Sequence, residues 1–142
     1  MRFWTLLICF VILAPSAYAV EKIPAITVSG PTLIAFFAPA TQEEVDKNDE
    51  TSEVLSDFQW HLREVKQKLQ KAGISVHEIY ATKFEIVTGN KKKVFKPGEI
   101  DVGYYFVKPS KTPKVQYGVM SNMDIVDAAG EYFGLNQLSN KQ

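Results

Sequence analysis

Thr32-Leu33-Ile34-Ala35-Phe36-Phe37-Ala38-Pro39 is the stretch on which the fold turns. After Thr32 it carries no polar residue until it stops at Pro39, and it is preceded by Ser29-Gly30-Pro31, a turn signal. A strand with one wet face alternates apolar and polar residues. A short run that is apolar throughout is buried on both faces. We therefore expect Thr32–Ala38 to be the central strand of a covered sheet, which places the chain in the α/β class.

Downstream lies an acidic stretch, Glu43, Glu44, Asp46, Asp49, Glu50, Glu53 and Asp57, relieved only by Lys47. Its first part, residues 41–50, is expected to be a solvated acidic loop. A long helix should follow, because Leu55, Phe58, Leu62, Val65 and Leu69 recur at spacings of three and four and form one apolar stripe. Acidic residues at its start and Arg63, Lys66, Lys68 and Lys71 towards its end complement the helix dipole, and Gly73 should stop it. Ile74–Ala81 then reads as a strand. Strand, helix, strand in that order implies a parallel pair.

The second half changes character. Phe84–Thr88 and Lys92–Lys96 flank Gly89-Asn90-Lys91 and predict a hairpin over residues 84–96. Val102–Val107 predicts an aromatic strand, Pro109–Pro113 a turn, and Lys114–Val119 a returning strand with Val115, Tyr117 and Val119 on one face. Ser121, with Asp124 three residues on, should cap a last helix whose apolar face is Ile125, Ala128, Ala129, Tyr132 and Phe133, ending at Gly134. Asn136–Gln142 is a polar end expected to fray.

Upstream, Ile23–Val28 is a short apolar segment, and before it lies a leader. Met1-Arg2 is followed by an apolar run from Phe3 to Ala14 and by Ala17-Tyr18-Ala19, a small-residue cleavage pattern. That run of about a dozen residues is shorter than the ~20 a membrane span needs. Residues 1–19 are thus expected to be a secretory signal peptide, and 20–142 a single domain with no membrane insertion once the signal is cleaved. Cys9 lies inside the leader and is the only cysteine, so the body has none. A body of roughly 120 residues can stabilise a core without disulfides, and an exported, cysteine-free chain fits the periplasm best.

Net charge is zero, which gives no global field towards nucleic acid or membranes. Lys91, Lys92, Lys93 and Lys96 form a local basic cluster without interleaved aromatics, poor material for nucleic-acid binding.

The element order resembles a thioredoxin-like domain: strand, long helix, parallel strand, antiparallel hairpin, final helix. Leu33-Ile34-Ala35-Phe36-Phe37-Ala38-Pro39 resembles the apolar strand and Ala-Pro that lead into the thioredoxin active site. Val115-Gln116-Tyr117-Gly118-Val119-Met120-Ser121 resembles the last strand, its glycine and the serine that caps the final helix. The resemblance implies a thioredoxin-like sandwich with a mixed central sheet. It also shows what is missing. Where the family has Cys-x-x-Cys this chain has Thr41-Gln42-Glu43-Glu44, and Val102-Gly103 stands where the family has its cis-proline. The Phe84–Lys96 hairpin occupies the place of an expected helix. Disulfide exchange and peroxide reduction need a thiolate, which the body cannot form.

Other chemistry is thinly supplied. His61 and Glu64 share a helix face and His77-Glu78 sits on the next strand, short of the three or four ligands of a zinc site. Glu43 and Glu44 form an acid pair that nothing in the sequence buries. Ser121 suits a cap better than a nucleophile. Trp60, Tyr104 and Tyr105 are core packing or interface anchors. The expectation is a redox-inactive binding or adaptor module for an envelope protein partner, needing no cofactor. Its candidate binding residues are Thr41, Gln42, Glu43, Glu44, Gly103 and Tyr104. The alternatives are an enzyme, such as a hydrolase, using carboxylates or histidines at the same face, and a structural subunit of an envelope assembly.

Overall fold

The structure, a computed structural model, describes residues 22–38, 48–97, 102–135 and 138. Among these the elements are β1 (Ala25–Thr27), β2 (Thr32–Phe37), α1 (Asp49–Lys71), β3 (Ser75–Tyr80), β4 (Phe84–Thr88), β5 (Lys91–Phe95), β6 (Val102–Lys108), β7 (Lys111–Tyr117) and α2 (Asn122–Phe133). The expected leader (residues 1–19) and the polar end, apart from Leu138, lie outside the described residues.

β2 is central, as its sequence requires: all six of its residues are buried. It runs parallel to β3, with Leu33 beside Val76 and Phe37 beside Tyr80, and antiparallel to β6, with Phe37 beside Val102. β7 completes a mixed four-stranded sheet in the order β3-β2-β6-β7. Because side chains alternate along a strand, Leu33, Ala35 and Phe37 face α1 and α2, while Ile34 and Phe36 face the other way.

That second face is covered by a second sheet rather than by a helix. β4 and β5 form the expected hairpin, and β1 adds to it in parallel, giving the order β1-β4-β5. Ile26, Val28, Phe84 and Ile86 bury against Ile34, Phe36, Tyr105 and Val107. The described residues thus form three layers: two helices, a four-stranded sheet and a three-stranded sheet. It is a mixed α/β protein with two sheets, where the sequence had suggested one central sheet and an appended hairpin.

Local chemistry explains most boundaries. Asn48 caps α1 by accepting the Thr51 N–H at 3.3 Å, so the acidic stretch expected as loop up to residue 50 becomes helical at Asp49. Its stripe buries Phe58, Leu62, Val65 and Leu69, with Leu55 half-buried. At its end the Ile74 N–H reaches the Leu69 carbonyl at 3.0 Å and the Gly73 N–H the Gln70 carbonyl at 3.0 Å. This double closure needs a left-handed residue, and Gly73 supplies it with φ 83°. The β4–β5 turn is only Gly89-Asn90; Gly89 has φ 58° and no described non-glycine residue has positive φ, the pattern of a type II′ turn.

Two expectations change. The turn predicted over Pro109–Pro113 is just Pro109-Ser110, and β7 runs on through Pro113. Phe106 faces Lys114 and Lys108 faces Lys111, so Thr112 and Pro113 together oppose Val107 in a β-bulge. An edge strand tolerates proline at a bulge because no ladder bond is lost. β7 also stops at Tyr117, short of Val119, because Gly118 turns away and donates its N–H to the Val102 carbonyl at 2.8 Å.

Candidate functional site

One end of the four-stranded sheet is defined by the end of β2 and the start of β6. Tyr80 closes β3, Phe37 closes β2, Val102 opens β6, and Tyr117 closes β7 opposite Gly103. Thr41, Gln42, Glu43 and Glu44 lie outside the described residues. Gly103 and Tyr104 are described, and both are buried.

Tyr104 is 0% exposed, its ring 5.8 Å from that of Phe58, and its hydroxyl accepts the Met120 N–H at 3.4 Å. Burial pushes its phenol above the ordinary tyrosine value, partly offset by the Met120 bond. Tyr104 therefore ties β6 to the segment before α2 and presents no surface to a partner. Gly103 serves packing. A Cβ there would overlap the Gln116 carbonyl oxygen and lie 2.8 Å from Phe36 Cζ, so the missing side chain is the seat of the Phe36 ring. Tyr105 projects to the opposite face and is buried against Phe84 and Phe95.

The exposed side chains at this end are others. Tyr80 and Tyr117 are each 44% exposed, on the two edge strands of the sheet, and Val119 follows in the next loop. Edge strands of a four-stranded sheet are about 14 Å apart. Tyr80 is held in place: its ring stands edge-on to Phe58 at 6.4 Å, and its hydroxyl donates to Glu78 Oε2 at 3.1 Å and accepts from Gln59 Nε2 at 3.3 Å. Lys66 Nζ bonds the other Glu78 oxygen at 3.0 Å. Desolvation raises the Tyr80 phenol and so do the Glu78 carboxylate and its hydrogen bond, against the Gln59 donor. Tyr117 stands edge-on to Phe36 at 6.1 Å. Two oriented, half-exposed tyrosines have the character of interface anchors, apolar in body and polar at the tip. The sequence reading puts Tyr117 on one face with Val115 and Val119; its exposure follows from β7 being an edge, which only the topology reveals.

Catalytic chemistry finds little here. Among the described residues no three His, Cys, Asp or Glu side chains cluster as a metal site would require. His61 Nδ1 accepts the Asn122 N–H at 3.2 Å, and Trp60 packs edge-on to the imidazole at 4.8 Å, so His61 closes the N-terminus of α2. Ser121 Oγ accepts the Asp124 N–H at 3.2 Å and donates to Asp124 Oδ2 at 2.6 Å, which makes it a cap. The groove between α1 and α2, lined by Glu64, Lys68, Met123 and Asp127, holds about 250 Å³. No described helix is long and apolar enough to cross a membrane.

Comparison with protein-family models, with curated proteins and with solved structures gives no match in any of the three.

Proposed function

We propose that this chain is an exported, periplasmic, redox-inactive thioredoxin-like domain that binds another protein instead of transforming a substrate. The observation that carries the reading is the connectivity. β2, α1, the parallel strand β3, the antiparallel pair β6–β7 and the final helix α2 follow in the order of the resemblance, with both helices on one face of the sheet. Fold alone does not give function, so the binding role rests on the sheet end. Tyr80, packed on Phe58 on the helix face, and Tyr117, packed on Phe36 on the other face, stand half-exposed on its two edges, while Phe37 and Tyr104 between them are buried. The only cysteine lies in the leader, which leaves the body no thiolate for redox work.

The test is site-specific photocrosslinking in cells. A photoreactive residue is placed at Tyr80 or Tyr117, and for comparison at Lys71 or Ser110, at the opposite end of the sheet. The expected result is one recurrent envelope protein trapped from both tyrosine positions and from neither comparison position. Trapping from all four positions alike, or from none, overturns the reading.

A further inference from the structure

Independently of the sheet end, we propose that the free edge of β5 pairs, as an added strand, with an extended acidic protein segment. β5 is an outer strand of the three-stranded sheet, and Lys91, Lys92, Lys93 and Val94 are all exposed. In a two-residue hairpin the residues flanking the turn form a hydrogen-bonded pair, and bonded and non-bonded pairs alternate from there. Thr88–Lys91, Ile86–Lys93 and Phe84–Phe95 are then the bonded pairs. Lys92 and Val94 therefore turn their backbone N–H and C=O groups outward, two donors and two acceptors in strand geometry with no strand beside them among the described residues.

The side chains say what that neighbour is. Val94 is 44% exposed on the outer face, beside Glu85. Lys92 lies 3.7 Å from Glu85, whereas among the described residues no carboxylate faces Lys91, Lys93 or Lys96. Lysines on an edge ordinarily keep a strand from pairing with copies of itself; antiparallel self-pairing here would set lysine against lysine. The same charges favour a strand whose carboxylates fall opposite Lys91 and Lys93 and whose β-branched residue falls opposite Val94. Nucleic acid is a poorer occupant. The one aromatic residue of β5, Phe95, turns inward against Phe36, Phe84 and Tyr105 and offers no stacking surface.

The probe is a synthetic peptide, acetyl-Thr-Val-Val-Glu-Glu-Glu-Thr-amide, titrated into the ¹⁵N-labelled protein purified from expression of the full sequence. Saturable shifts centred on the Lys92 and Val94 amides are expected. Lys91→Glu with Lys93→Glu should weaken binding about tenfold, from two exposed attractions turned to repulsions. Val94→Pro removes an outward donor without breaking a β4–β5 bond and should cost about fivefold. If that variant fails to fold, the same peptide N-methylated at the amides facing the edge reads the same bonds from the other side. Undiminished binding of the N-methylated peptide means charge attraction alone and overturns the proposal. So does no saturable binding up to about 1 mM peptide. Preferential binding of phosphatidylglycerol vesicles, or self-association through this edge, overturns it in favour of a lipid surface or a second copy. None of these outcomes touches the photocrosslinks at Tyr80 and Tyr117, so the two readings fail separately.

Discussion

Gly103→Ala separates a packing role from a binding role at the start of β6. The added methyl would meet the Gln116 carbonyl oxygen and the Phe36 ring, with Tyr117 Cα 3.1 Å away. Two of these three atoms are backbone, so no side-chain rotation alone relieves the overlap; β7 must shift away from β6 and the Phe36 ring must give way as well. Overpacking of this kind costs about 1–3 kcal/mol, against which alanine regains about 0.5–1 kcal/mol of the chain entropy that glycine loses in a strand. The net loss expected is about 1 kcal/mol, or roughly 4 °C in Tm for a domain of this size. Gly30→Ala is the matched control. Nothing lies within 4 Å of its would-be Cβ, and its φ is not in the left-handed range. That variant should be neutral or up to about 1 kcal/mol more stable. Urea melts of both, read by circular dichroism with m unchanged, give the comparison. Equal stability of the two variants would refute the packing account and return Gly103 to the list of surface contacts.

Three further outcomes follow from the same geometry. The Tyr104 phenol is raised by burial, so the folded state disfavours its ionisation; this stability is fully present below about pH 10 and is lost as pH rises through the higher folded value. Urea stability measured from pH 8 to 11.5 should therefore fall above about pH 10, and Tyr104→Phe should flatten that fall by up to about 1.4 kcal/mol per pH unit. An unchanged slope refutes it. Ser121→Ala should cost about 1 kcal/mol by freeing the Asp124 N–H, whereas a serine not engaged as a cap would show no loss of stability. Lys66→Met breaks a half-exposed pair with Glu78 and should change stability by no more than about 1 kcal/mol in physiological salt; a loss above about 2 kcal/mol contradicts a surface role.

What was legible in the sequence was whatever local patterning enforces. β2 must be apolar on both faces because two layers cover it, and α1 must show a stripe because one side meets the sheet. Ser121 and Gly73 carry their cap chemistry in their side chains, or in the lack of one. Pairing was less legible. β1 has three residues, and nothing in Ala25-Ile26-Thr27 says that it lies beside β4. Pro113 suggests a turn because proline breaks ladders, yet an edge bulge has no ladder bond to break. Tyr104 invited a functional reading because it follows Val102-Gly103, where the resemblance puts the family's cis-proline and its docking face. Its burial follows from β6 lying between β2 and β7, with helices over the face that Tyr104 occupies.

The second sheet changes what the domain can recognise. A helix laid over Ile34, Phe36, Tyr105 and Val107 would satisfy its own backbone internally and offer a partner only side chains. β4 and β5 instead bury Phe84, Ile86 and Phe95 over the same apolar floor, and a sheet has edges. The inner residues are fixed by packing, Phe95 lying 4.9–5.4 Å from Phe36, Phe84 and Tyr105. That anchoring holds the outward row of Lys92 and Val94 in strand conformation before any partner arrives, which lowers the ordering entropy of association. The lysines cost the fold little, since their charges stay in water. They convert a bare edge, an aggregation hazard in a neutral strand, into one that discriminates by charge. An apolar core and a selective rim thus come from one five-residue strand, Lys-Lys-Lys-Val-Phe, with Phe95 turned inward and Lys92 and Val94 turned out.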